Sequence, residues 1–272
     1  MSSHIHPTAI IEDGAVIGQD CEIGPYVVIQ KGAVLGGANK LGPHVLITGA
    51  TRMGHRNSIK HAASIGGGPQ DIHFTRDDPL LYLGDDNHIG EHCTLHRGSS
   101  SGKTTIGNHN YLMGNIHVGH DCTLGNNIIM ANDAKLGGWV AVFDKAIISA
   151  GAGVHQFTRI GDMVMVGALI RVTQDLLPYT MAAGNEGLNG LNLVGLKRSG
   201  CASDSIRLLK QAYSKFCRQR EKQDVFRQWL GQQTDPYLRR WLEFMSISSK
   251  RAYARHPPAK FRVHANYDDK PT

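Results

Sequence analysis

Two histidines sit within one short stretch, His117-Val118-Gly119-His120-Asp121, and a third follows in Val154-His155-Gln156-Phe157. Imidazole changes charge near neutral pH, and its neutral form also binds metals. Clustered histidines can therefore mean proton transfer, metal ligation or simply a solvated surface. With 15 histidines in the chain, surface positions account for most of them. Zinc is poorly served, because the spacing at His117 and His120 is H-x2-H and no cysteine or carboxylate cluster supplements it. Neither a Walker lysine motif nor a credible Rossmann fingerprint is present, which excludes phosphate loops of those kinds.

The elements that must position these residues show in the periodicity. Every sixth residue from Ile5 to Ile59 is aliphatic or methionine. The phase returns at Leu83, Ile89 and Leu95, then runs, shifted, from Ile106 to Val172. All 25 positions are apolar in a chain that is 41% hydrophobic, which chance does not produce. Glycine often follows, as at Gly18, Gly36, Gly119 and Gly137. A period of six is neither helical nor simple strand alternation. It suits a short strand plus a corner, three of which close a coil of 18 residues, with glycine or small polar residues permitting the tight turns. The expected class is an all-β parallel β-helix over residues 1–178. His155 then lies one residue short of two coils after His120, so these histidines can line one lateral groove. Exposed corner histidines are the competing reading.

Two segments break the repeat. One, 66–82, contains Gly66-Gly67-Gly68-Pro69-Gln70-Asp71; the other, 97–105, contains Gly98-Ser99-Ser100-Ser101-Gly102. Loops ejected from a rigid solenoid are usual places for binding groups. The repeat ends near Pro178. Residues 179–200 read as a linking segment, 201–256 as a small basic helical domain and 257–272 as a polar tail. Ser203-Asp204 opens the first helix, with Ile206, Leu209, Tyr213 and Phe216 at helical spacing. Residues 224–230 and 236–245 read as two more helices.

Composition narrows the setting. A chain of 272 residues can bury a sizeable core without disulfides or metals, and with aromatics at 7% that core is expected to be aliphatic. The net charge of +6 hides an asymmetry: residues 1–196 carry 12 Lys and Arg against 16 Asp and Glu, whereas 197–262 carry 16 against 5. Such a basic patch suits either nucleic acid or an acidic protein partner, and charge alone does not choose. Five cysteines, odd in number and without C-x-x-C, point to a reducing cytoplasm. No apolar run approaches a membrane span, and no signal peptide is expected at the N-terminus.

Five strings follow one another in order: His96-Arg97-Gly98, Gly107-Asn108-His109-Asn110-Tyr111-Leu112-Met113, His117-Val118-Gly119-His120-Asp121-Cys122, Val154-His155-Gln156-Phe157 and Gly195-Leu196-Lys197-Arg198. In these, and nearly continuously to about residue 200, the chain resembles the UDP-N-acetylglucosamine 3-O-acyltransferases that begin lipid A biosynthesis in Gram-negative bacteria. The resemblance implies a left-handed β-helix followed by a small α-helical C-terminal domain, assembled as a homotrimer with its site between neighbouring prisms. It implies acyl carrier protein as donor and UDP-N-acetylglucosamine as acceptor, with no cofactor, no metal, no nucleic acid and no membrane insertion.

His120 matches the family's general base, Asp121 its supporting carboxylate and Gly138 the residue whose N–H stabilises the oxyanion. On a strand, the adjacent His120 and Asp121 would point to opposite faces. Gln70, Asp71, His117, His155, Gln156, Asn192 and Arg198 match positions that hold sugar, acyl chain or nucleotide. Ala168 matches the residue that ends the acyl groove. The chain departs from the family pattern at His73, usually lysine; Trp139, usually histidine; Val194, usually glutamate; and Ser199, usually arginine. A paralogue that acylates the amine of another UDP-linked amino sugar is the alternative.

Overall fold

A computed structural model of the chain describes residues 3–75, 77–184 and 187–256. Two-residue strands recur every six residues, and each pairs in parallel with the third strand after it, His4 with Glu22 and Glu22 with Lys40. The coils stack into a triangular prism of three sheets with 11, 9 and 8 strands. The periodic aliphatic residues fill its inside, and from Ile23 to Val172 each is at most 4% exposed. Ile5 is 43% exposed, because the first coil has no neighbour to close its end.

The corners arise differently from the sequence expectation. At most corners the third residue after the aliphatic one takes a left-handed φ near +60° whatever its side chain, as at Asp20, Tyr26, Asp121, Trp139 and Phe157. That conformation costs roughly 1–2 kcal/mol for an L-residue. A hydrogen bond to the preceding coil helps to offset it, as from Ala38 N–H to the Gln19 carbonyl at 2.8 Å. The repeating glycine answers to another demand. A Cβ on Gly18 would lie 2.5 Å from the backbone of Gly36 on the next coil, and one on Gly119 would lie 2.9 Å from Gly137. Close approach between coils, rather than the turn, selects glycine there.

Two insertions stretch the step between paired strands, from Ser64 to Thr94 and from Thr94 to His117, yet the pairing resumes in register. The loops are shorter than the broken repeat suggests. Strand Ser64–Gly67 runs on through the first glycines, and Leu80–Leu83 pairs with Lys103–Ile106 over four residues. Ladder hydrogen bonds hold these returning strands, so both loop ends are coil.

The described residues between 179 and 200 include strands and a helix and are more than a plain linking segment. Thr180–Ala182 extends the 11-stranded sheet, Leu188–Leu191 pairs antiparallel to it, and α1 spans Leu193–Arg198. Three longer helices follow: α2 (Ser203–Tyr213), α3 (Gln223–Gly231) and α4 (Pro236–Ser246). After α2 the chain widens into a π turn, Ser214–Arg218, which keeps both Phe216 and Cys217 buried. The core here is aromatic, unlike that of the prism, with Phe216, Phe226, Trp241 and Phe244 fully buried. Short helices close a core this small only with large side chains. All five cysteines are free and buried. The polar tail expected at 257–272 lies outside the described residues.

Arg159 joins the prism to the helices. Its Nε lies 2.8 Å from Asp175 Oδ2, and its Nη1 donates to the carbonyls of Phe244 and Ile247 at 3.0 and 2.9 Å. The guanidinium also stacks 4.5 Å from the centre of the Phe244 ring. Asp175 is fully buried, and its backbone pairs with Ala252 and Ala254. Removing one partner of such a pair leaves the other charge uncompensated, typically at about 3–5 kcal/mol. Asp175→Ala is therefore expected to lower stability by about that amount, with amide exchange rising first in α4 while the prism stays protected. Unchanged exchange in α4 would show that this pair does not join the two parts.

Candidate active site

Sheet register sets His117, Lys135, Gly153 and Arg171 side by side on the 9-stranded sheet. His120 follows three residues after His117, at the corner. Asp121 is itself a corner residue, with φ of +60°, so strand alternation does not separate the two side chains. His120 Nδ1 lies 2.8 Å from Asp121 Oδ2. Because the carboxylate accepts, Nδ1 carries the hydrogen and Nε2 keeps its lone pair. Gly138 lies one coil further on. A Cβ there would come within 2.6 Å of His120 Nε2, so glycine alone leaves room for the ring. Among the described residues the Gly138 N–H has no acceptor, so a donor stands next to the basic nitrogen.

The Asp121 side chain is fully buried. Its Oδ1 accepts from the backbone N–H of Ser99 at 2.8 Å, from that of Ser101 at 3.0 Å and from the Ser101 hydroxyl. Burial pushes this carboxyl up, but the bonds from His120, Ser101 and Ser99 together outweigh it and hold the group below its ordinary value. Ser99 Oγ also donates to Asp71 Oδ2 at 2.6 Å. That bond, with one from the His73 N–H at 2.9 Å, lowers Asp71 as well. His117 Nδ1 lies 2.9 Å from Thr94 Oγ1, and its ring centre is 5.1 Å from that of His96. Desolvation, reinforced by His96, Lys135 and His120, pushes His117 down to about 4. Desolvation lowers His96 too, whose Nδ1 bonds to the Gly68 carbonyl.

His155 and Gln156 occupy the corner two coils beyond His120. Arg251 reaches them from the C-terminal part, its Nη2 lying 2.5 Å from His155 Nδ1 and its Nε donating to the Gln156 carbonyl at 3.0 Å. A cavity of about 280 Å³ opens on this face, bordered by His117, Lys135, Gly137, Gly153, His155 and Arg171. A Cβ on Gly153 would meet nothing within 4 Å, so its floor is open. Gln70 is exposed next to Asp71. Ala168 lies three residues before Arg171, on the opposite edge of the same sheet face. It is two and two-thirds coils beyond His120, about 13 Å along the axis.

Asn192 and Arg198 do not join this cluster within one chain. Asn192 caps α1 by accepting from the Gly195 N–H at 2.9 Å, and it donates to the Met163 carbonyl at another prism corner. Arg198 ends α1 and is exposed. Trp139, one coil beyond Asp121, donates its backbone N–H to the His120 carbonyl at 2.9 Å. Sequence reasoning gave no individual role to Thr94, His96, Ser99, Ser101 or Arg251. Gly98-Ser99-Ser100-Ser101-Gly102 spells a formal G-x-S-x-G, yet the two outer serines make the contacts and the middle one does not figure in them.

A β-helical prism with a histidine–carboxylate pair against an open backbone N–H defines an acyltransferase of the hexapeptide-repeat class. Residues 2–37 match the bacterial transferase hexapeptide family (six repeats), and 175–254 match the family described as UDP N-acetylglucosamine O-acyltransferase, domain 2. The acyl-(acyl-carrier-protein)–UDP-N-acetylglucosamine O-acyltransferase of Burkholderia orbicola is 50% identical over 214 residues, 78% of this chain and 82% of that one. The enzyme of that name from Aliarcobacter butzleri is 45% identical over 253 residues, 92% of this chain and 97% of that one. The solved UDP-N-acetylglucosamine O-acyltransferase of Moraxella catarrhalis superposes with a TM-score of 0.89 at 37% identity, covering 92% of this chain and 99% of that one. The chain belongs to the acyl-(acyl-carrier-protein)–UDP-N-acetylglucosamine O-acyltransferase family, and its β-helix is the left-handed one of that family.

His117 provides a test of the site's electrostatics. Its folded value of about 4 lies below the ordinary 6.5, so on acidification the unfolded chain takes up the proton first. The contribution of this group to stability is therefore lost as pH falls from about 6.5 toward about 4. Histidine ring NMR should show His117 titrating near 4, and a midpoint above 6 would contradict the arrangement.

Proposed function

We propose that this enzyme transfers a (3-hydroxy)acyl chain from acyl carrier protein to the 3-hydroxyl of UDP-N-acetylglucosamine, the first step of lipid A biosynthesis. One observation carries the reading: His120 Nε2 stands free beside the open N–H of Gly138 while Asp121 fixes Nδ1–H. Nε2 takes the proton of the acceptor hydroxyl as its oxygen attacks the thioester carbonyl. The new carbon–oxygen bond creates an oxyanion, which accepts from the Gly138 N–H. Collapse breaks the carbon–sulfur bond, and the thiolate recovers the proton from Nε2. Asp71 and Gln70, on their loop, and His155 and Gln156, two coils on, hold the acceptor, and His117 borders the groove.

The enzyme works as a homotrimer in the cytoplasm. Asn192 and Arg198 support the trimer, since they sit at a different corner from His120 and reach a shared site only from a neighbouring prism. The basic C-terminal region receives the acidic carrier protein, chiefly by raising the rate of encounter.

The deciding assay offers a panel of acyl carrier protein thioesters with UDP-N-acetylglucosamine or its 3-amino analogue. Preferential turnover of the first acceptor is expected, and preference for the amine would identify an N-acyltransferase instead. His120→Ala should lower kcat by about 10²–10⁴-fold with the fold intact, as removal of a general base does. A folded variant that kept its rate would remove His120 from the mechanism.

Ala168 closes the groove that begins at His120. Each buried methylene is worth about 0.8 kcal/mol, or about fourfold in affinity, and a clash discriminates more steeply than a gap. Ala168→Gly should shift preference toward longer acyl chains and Ala168→Met toward distinctly shorter ones. Neither should much change the rate with the best-fitting chain. If both variants keep the parent's chain-length profile, the groove ends elsewhere.

A further inference from the structure

Ser99 is 1% exposed and stands between two carboxylates. Its backbone N–H donates to Asp121 Oδ1 at 2.8 Å, and its hydroxyl donates to Asp71 Oδ2 at 2.6 Å. Ser101, two residues on, gives its N–H to Asp121 Oδ1, and its hydroxyl lies between that oxygen and the Lys103 carbonyl. The short loop after His96 thus reaches both the carboxylate behind the base and the carboxylate of the long loop. We propose that Ser99 is a positioning residue that sets Asp71, and through it the bound sugar, against the His120–Asp121 pair, whereas Ser101 bonds to Asp121 and to Lys103 in its own loop and not to Asp71. The inference rests on the proposed function, in which Asp71 holds the acceptor.

Three features argue against a plain loop staple. Backbone bonds already close the loop, from the Gly98 N–H to the Leu80 carbonyl and from the Gly102 N–H to the Ser99 carbonyl, both at 3.1 Å, whereas Ser99 gives both of its own donors to carboxylates. Two such carboxylates brought to one residue would repel, and each is held ionised by its own set of donors. The roles are also divided by atom, main chain toward the base and side chain toward the sugar. A substitution at Ser99 can therefore cut one link and leave the other.

The test uses the full-length enzyme and steady-state kinetics with both substrates. Ser99→Ala removes the hydroxyl but keeps the N–H. A hydrogen bond to a charged group is worth about tenfold or more, so KM for UDP-N-acetylglucosamine should rise about tenfold while kcat changes less than about threefold. Ser101→Ala should do the reverse, lowering kcat while leaving that KM within about twofold. In an Asp71→Asn background, Ser99→Ala should add less than about a twofold further change, because the link it cuts has already been weakened.

An unchanged KM in Ser99→Ala would overturn the proposal. So would equal losses in kcat and KM, or a full Ser99→Ala effect in the Asp71→Asn background. Calorimetric binding of UDP-N-acetylglucosamine, which needs no turnover, should weaken in Ser99→Ala in step with KM. Failure of the proposed function itself would show in the parent enzyme, as no turnover of this acceptor, and would take the inference with it.

Discussion

The backbone N–H and C=O groups of each coil point along the prism axis, and they find partners only if the next coil lies on it in register. The 18-residue step, the close backbone approach that selects glycine and the left-handed corners all follow from that requirement. Insertions do not relax it. Ser58 pairs with His88, and His88 with Tyr111, across the two ejected loops. A buried asparagine ladder runs through both, the side chains of Asn39, Asn57 and Asn87 accepting in turn from the backbone N–H of Asn57, Asn87 and Asn110. Each insertion therefore leaves the prism and returns to it without disturbing the rungs beyond.

The site is a consequence of the same stacking. Residues 18 apart lie in a column, so Gly138 falls beside His120, and Gln156 one coil beyond that. An oxyanion donor held this way has its position relative to the base set by backbone pairing, with no loop to reorganise during reaction. The coil cannot by itself surround a buried carboxylate with donors. The loops do that, and they are the two places where the repeat is broken. Asp121 shows the division of labour: Oδ1 takes the loop's donors, while Oδ2 remains for His120.

The prism was legible because its signal is local and repeated. An aliphatic residue every six positions needs no tertiary information to read. The N-terminal coil and the glycines show the limit, since exposure at an open end and contact with the next backbone both depend on what lies above or below. The His120–Asp121 contact was obscured for a similar reason: strand alternation argues against it, and only a corner φ of +60° at Asp121 allows it. Asn192 shows the same limit: the resemblance marks it as a ligand position, and the cap it provides to α1 and its bond to Met163 within its own chain could not be read from the sequence. Ser99 and Ser101 carried no readable signal, because a serine-rich loop looks the same whether its hydroxyls face water or two carboxylates.

The histidines around the base bear on how it can work. A base that accepts a proton becomes a cation, and a second imidazolium near enough to feel it, as His96 and His117 both are, would oppose that step. Burial removes the conflict, since it lowers both His96 and His117 and leaves them uncharged where the enzyme operates. They can then border the groove as neutral hydrogen-bonding groups. The two carboxylates, Asp121 in contact with His120 and Asp71 beyond Ser99, are both held below their ordinary value and keep their charge. Desolvation thus works with the loop's donors: one silences the competing histidines, and the other keeps the supporting carboxylates charged.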